Sequence, residues 1–154
     1  MPDTSTPLKE RLRTDLTAAM RSRDKVRSGT IRMVLAAISE AEVAGSEARE
    51  LTDQQVLDVV VREAKKRREA REAFTAAGRA ELADKEQAEA EVLTDYLPQA
   101  LTAEEVSAIV AVAVAQTGAA ERGMGAVMGV VTPQTRGRAD GGAVAAEVRR
   151  QLAG

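Results

Sequence analysis

Apolar side chains recur along the chain every three to four residues, the spacing that lines one face of a helix. A first stripe, Leu8, Leu12, Leu16 and Met20, follows Thr6, with Pro7 at the first helical position, where a missing N–H costs nothing. Asp24 is placed to cap a second helix, in which Ile31, Val34, Leu35 and Ile38 share a face and Gly45 is the expected terminator. Thr52 with Gln55 reads as a capping box opening a third, longer helix that buries Val56, Leu57, Val60 and Val61. Its second half, REAKKRREAREAF, carries charge on every face and is expected to project from the core as a solvated rod ended by Gly78. Exposed pairs such as Glu63–Arg67 and Arg68–Glu72 contribute about 0.3–0.5 kcal/mol each there. A fourth helix runs through the eighties and nineties with Leu93, Tyr96 and Leu97 inward, stopped by Pro98.

Thr102 with Glu105 repeats the capping box and opens a fifth helix, with Val106, Ile109, Val110 and Ala113 on one face and Gly118 at its end. Met124, Val127, Met128 and Val131 define a sixth. Asp140 is placed to cap a last helix that buries Val144, Val148 and Leu152. The expected fold is all-α: an N-terminal domain of about four helices over 1–97 and a small three-helix domain over 98–154. Three short helices make a marginal core, so the second part is expected to lean on the first or on a partner.

Composition sharpens this picture mainly by exclusion. The only aromatics among 154 residues are Phe74 and Tyr96, so the core is built from Leu, Val, Ile, Met and Ala. Without Cys or His there is no thiol nucleophile, no Ser-His-Asp triad, no zinc site of the usual ligands and no disulfide. The start lacks an apolar leader-like run and no stretch of about 18 apolar residues occurs, so a cytoplasmic protein away from membranes is expected. The net charge of -2 conceals blocks of +4 over 1–32, -5 over 33–61, +4 over 62–71 and -5 over 72–97, with 98–154 balanced. Alternation of this kind pairs the charges of neighbouring helices; a basic surface for phosphates is the alternative.

Few residues look equipped for chemistry. Gly123-Met124-Gly125-Ala126-Val127-Met128-Gly129 is one residue off a dinucleotide fingerprint and follows no strand. The plain reading is that Gly123 and Gly125 open a helix and Gly129 admits a close neighbour. No cofactor is expected. The carboxylates Glu81, Asp84, Glu86, Glu89, Glu91 and Asp95 read as a wet acidic face rather than a metal or catalytic site. Two basic groups remain. Lys65, Lys66, Arg67 and Arg68 form a run, and Arg136 and Arg138 flank Gly137 in a turn near Asp140, with Arg149 and Arg150 on the last helix. Arginine in a glycine turn beside a helix start suits phosphate contact, although surface charge pairing is the plainer reading of each group. No nearby aromatic is available to stack a base.

Several stretches resemble the GatB/YqeY family, in colinear order over nearly the whole chain. They are Asp24-Lys25-Val26-Arg27, Ile31-Arg32-Met33, Ala77-Gly78-Arg79, Asp84-Lys85-Glu86, Tyr96-Leu97-Pro98, Thr102-Ala103-Glu104-Glu105, the Gly123–Gly129 run, and Gly137-Arg138-Ala139-Asp140-Gly141. The resemblance implies a C-terminal domain similar to the tail of the B subunit of aminoacyl-tRNA amidotransferase, which helps engage tRNA while the chemistry lies elsewhere. It also implies a family label of carbon–nitrogen ligase activity with glutamine as amide donor. No counterpart of that catalytic domain is recognisable, so no catalytic site is expected. The tRNA-facing positions carried over are Arg136, Gly137, Arg138 and Asp140, with Arg149 and Arg150 nearby. Where relatives often place Lys before this turn, the chain has Thr132, Gln134 and Thr135, which thins the positive field. The leading expectation is a non-catalytic adaptor for RNA, tRNA first. The alternatives are a module docking a protein of translation or tRNA metabolism through helical faces, and an accessory subunit for amide transfer.

Overall fold

In the computed structural model the chain is described over residues 6–154, the side chains of 119–122 excepted, and it is all-helical with no strand among those residues. It divides into two compact units, Met1–Leu97 and Pro98–Gly154.

The first unit holds α1 (Leu8–Arg21), α2 (Lys25–Val43), α3 (Asp53–Ala76) and α4 (Ala80–Thr94). Pro7 stands one residue before the first helical residue rather than within the helix. α1 closes on Arg23, a non-glycine residue at φ 60°, through bonds from Arg23 N to Met20 O and from Asp24 N to Ala19 O. Asp24 then caps α2, accepting from Arg27 N at 3.0 Å. The chain therefore reverses within three residues, and α1 and α2 pack side by side around Leu8, Leu12, Ile31, Val34 and Ile38. Met20, expected in the α1 stripe, is 52% exposed because the reversal carries it past the core.

The Thr52–Gln55 capping box forms in both directions, Thr52 N to Gln55 Oε1 at 2.9 Å and Gln55 N to Thr52 Oγ1 at 3.2 Å. α3 buries Val56, Val59 and Val60, while Leu57 and Val61 are only half-buried. Its second half is not a lone rod, although from Arg68 to Ala76 no residue is buried. α4 folds back along it, and Glu63, Ala64 and Arg67 are all buried. The physical reason is that α4 is rich in alanine, so a helix can approach closely without a wide apolar stripe on its partner. Glu63 and Arg67 meanwhile neutralise each other at 2.8 Å. Cross-links of opposite charge tie the unit together: Lys9 to Glu42 at 2.8 Å and Arg27 to Asp95 at 2.6 Å. The Tyr96 hydroxyl donates to Asp15 at 2.5 Å while the Arg11 guanidinium lies 5.5 Å above its ring.

The second unit holds α5 (Ala103–Thr117), α6 (Ala119–Thr135) and α7 (Gly141–Ala153) around Val106, Val110, Ala113, Val127, Val131, Val144 and Val148. The Thr102–Glu105 box opens α5. α6 begins before the glycine run, at Ala119, and is interrupted at Gly123 (φ 72°, ψ -167°), a conformation open to glycine and costly for other residues. Gly129 admits no close neighbour: a Cβ there would meet nothing within 4 Å. Its carbonyl lies one turn before Pro133, which has no N–H to return to it. Among the described residues no helix is long and apolar enough to cross a membrane.

Candidate nucleic-acid interface

The turn joining α6 to α7 is rigidly made. The last turn of α6 buries Thr135, whose hydroxyl donates to Val131 O at 3.1 Å. The N–H groups of Arg138 and Ala139 both return to Thr135 O, at 2.9 and 3.0 Å, and Gly137 just before them takes φ 74°. That left-handed φ favours glycine at the tip. Asp140 caps α7, its Oδ2 accepting from Ala143 N at 3.0 Å. The first turn of α7 is Gly141-Gly142, exposed and without side chains, which leaves the backbone at this helix start open to solvent.

The four residues expected at this turn thus have different roles. Arg136 is exposed at the end of α6. Arg138 is half-buried: its Nε donates to Gln99 O at 3.0 Å and its own carbonyl accepts from Leu101 N at 2.7 Å, so it stitches the turn to the segment before α5. Gly137 shapes the tip, and the Asp140 carboxylate is occupied as a cap. On α7, Arg149 is exposed, whereas Arg150 grips Glu147 through two bonds of 2.9 and 2.6 Å. Hydrogen bonds from Arg150 first, then from Gln151, hold the Glu147 carboxyl down to about 2. The guanidinium of Arg150 is therefore engaged before any phosphate arrives.

The basic run on α3 is divided by burial. Lys65, Lys66 and Arg68 are exposed, but Arg67 is 3% exposed and faces the core, where a phosphate cannot reach it. Its Nη1 donates to both the carbonyl and the carboxylate of Glu63, and its Nη2 reaches Met33 Sδ at 3.5 Å. Burial pushes the Glu63 carboxyl up, yet the hydrogen bonds from Arg67 and Lys66 prevail and hold it below the usual carboxylate range. Helical geometry separates Arg67 from its sequence neighbours by about 100° per residue, so the run was never one surface. Sequence spacing alone could have placed Arg67, since it continues the buried Val56, Val60, Glu63 face.

A third cationic group was not singled out from sequence. At the α1–α2 corner, Arg23, Lys25 and Arg32 line one hollow of about 310 Å³ together with Ala19, Met20 and Ser28. The signal was present in the +4 block over 1–32, but nothing in the spacing showed that a helix reversal gathers these side chains. Among the described residues, the acidic side chains of α4 do not come together in groups of three or more that could hold a metal ion.

An uncharacterized protein of Schizosaccharomyces pombe is 36% identical over 89 residues, covering 57% of this chain and 70% of the yeast protein. The family of YqeY-like proteins matches residues 9–152, through both helical units. The match takes in the α1–α2 corner, the α3–α4 hairpin and the α6–α7 turn alike, and the chain belongs to the YqeY-like family.

Proposed function

We propose that this protein is a non-catalytic, RNA-associated adaptor, with tRNA its ligand, that contacts phosphate through the α6–α7 turn. The observation that carries this reading is the exposed Arg136 beside the bare Gly141-Gly142 start of α7, on a turn fixed by Gly137 and by the Arg138–Gln99 bond. A guanidinium is complementary to a phosphodiester, and Arg136 is the principal contact, because the Asp140 carboxylate already caps the start of α7. The resemblance of the second unit to an amidotransferase tail supports tRNA over other RNAs. The role of each residue follows from its surroundings. Arg136 and Arg149 contact phosphate, Arg138 and Gly137 hold the turn, and the exposed Asp140 and Arg150 serve bonds within α7. Substitution Arg136→Ala is expected to weaken tRNA binding about three- to ten-fold and to lower the salt slope by about one. Unchanged affinity in filter-binding titrations of that variant removes this site.

A second reading, a protein-docking module, is favoured by one observation. Val26 and Met33, two turns apart on one face of α2, are 45% and 53% exposed, and Val43 further along the helix is 65% exposed. This reading requires a partner retained at high salt after nuclease treatment and released by Val26→Glu/Met33→Glu. Amide transfer draws on the family label alone.

A further inference from the structure

We infer that the corner between α1 and α2 is a phosphate-binding hollow, separate from the α6–α7 turn. The hollow of about 310 Å³ is lined by three cations, Arg23, Lys25 and Arg32, one hydroxyl residue, Ser28, and the apolar Ala19 and Met20. No carboxylate lines it. The nearest acid in sequence, Asp24, is turned into the α2 cap and lies 4.0 Å from Arg27 Nε. Arg27 in turn is drawn to Asp95. The corner therefore sorts its charges: one cation is matched by acids, while Arg23, Lys25 and Arg32 have no ion-pair partner among the described residues. Three like charges around one concavity repel unless an anion joins them, and a concavity focuses their field. A volume of this size lies at the lower end of ligand sites.

The backbone argues independently in the same direction. Arg23 holds φ 60°, the left-handed region that a side chain disfavours and glycine accepts freely. At this helix-closing position glycine would be the stabilising residue, yet the chain carries an arginine at the rim of the hollow.

The ligand is recognised by its phosphate groups, and their source is either a free polyphosphate or a phosphodiester chain. The test uses the full chain, calorimetry at about 0.15 M salt, and two probes: sodium tripolyphosphate and a six-nucleotide oligouridylate. The inference expects saturable one-to-one binding of at least one probe. Binding should fall about ten-fold or more in Arg23→Gly/Lys25→Ala/Arg32→Ala. It should stay near wild type in Arg49→Ala/Arg62→Ala/Arg71→Ala, which removes the same charge elsewhere on the same unit. Tighter binding of the oligonucleotide assigns the phosphodiester source, and tighter binding of tripolyphosphate assigns the free one. The single variant Arg23→Gly adds a readout that a structural role would not give: weaker binding with a higher unfolding midpoint. No saturable binding of either probe, or equal losses in the two triple variants, overturns the inference.

Discussion

Arg23 and Tyr96 show how single side chains carry opposing demands. A non-glycine residue in the left-handed region costs about 1–2 kcal/mol. Arg23→Gly at φ 60° relieves that strain and gives back part of the gain by loosening the unfolded chain. We expect about 0.5–1 kcal/mol of added stability, measured by urea unfolding; a loss would show that the Arg23 side chain holds the corner together. Tyr96 is raised above its ordinary pKa first by burial and then by its bond to Asp15. A raised acid contributes stability below its unfolded value of about 10, and that contribution fades as pH climbs toward the folded value. The stability of the protein should therefore decline above about pH 10, and Tyr96→Phe should decline less steeply while losing about 1 kcal/mol at pH 7. Parallel pH profiles for the two proteins would deny Tyr96 this role. The Glu63 carboxyl, held low, works at the other end: its contribution is complete above about pH 4.3 and is lost as pH falls through the folded value.

Among the elements, the α3–α4 hairpin is where packing and charge are hardest to separate. Glu63 and Arg67 lie one turn apart on the face that α4 covers, with the Arg67 Nε buried and unbonded. Removing one partner leaves the other charge buried, so Glu63→Ala should cost about 3 kcal/mol or more, whereas Glu63→Leu/Arg67→Met should lie within about 1–2 kcal/mol of wild type. Chemical denaturation of the three proteins decides this, and additive losses would mean that the pair is not coupled. Capping was the most legible layer in the sequence. The Thr52–Gln55 and Thr102–Glu105 boxes and the Asp24 and Asp140 caps all formed, because a cap depends only on residues three apart. The burial of Arg67 was legible in the spacing that it shares with Val56, Val60 and Glu63, but the exposure of Met20 was not, because it depends on where a second helix lies. The valine stripes of the second unit were read correctly at Val106, Val110, Val127, Val131, Val144 and Val148. With so small a core each matters. Val131→Ala should cost about 2 kcal/mol by thermal melting.

At the scale of the molecule, the alternating charge blocks are partly explained by pairing between helices, since Lys9–Glu42 and Arg27–Asp95 each join a basic block to an acidic one. Exposed cations include those at the α1–α2 corner and along α3 in the first unit, and Arg136 at the α6–α7 turn in the second. The candidate site was half legible. Sequence placed Arg136, Gly137 and Asp140 on one turn, because they are close along the chain. It did not show that Arg138 is tied to Gln99 or that Arg150 is held by Glu147, because those bonds depend on side-chain geometry. The family and the all-helical architecture fit an adaptor as well as a docking module, and the two differ most in their response to salt. Exposed charges are screened beyond about 8 Å at 0.15 M. The decisive measurement is binding of the purified protein to bulk tRNA at low salt and at about 0.15 M, with unrelated duplex RNA as competitor. The adaptor account predicts that tRNA binding persists at the higher salt and resists the competitor. Binding that vanishes at the higher salt, or that the duplex displaces equally well, would contradict it.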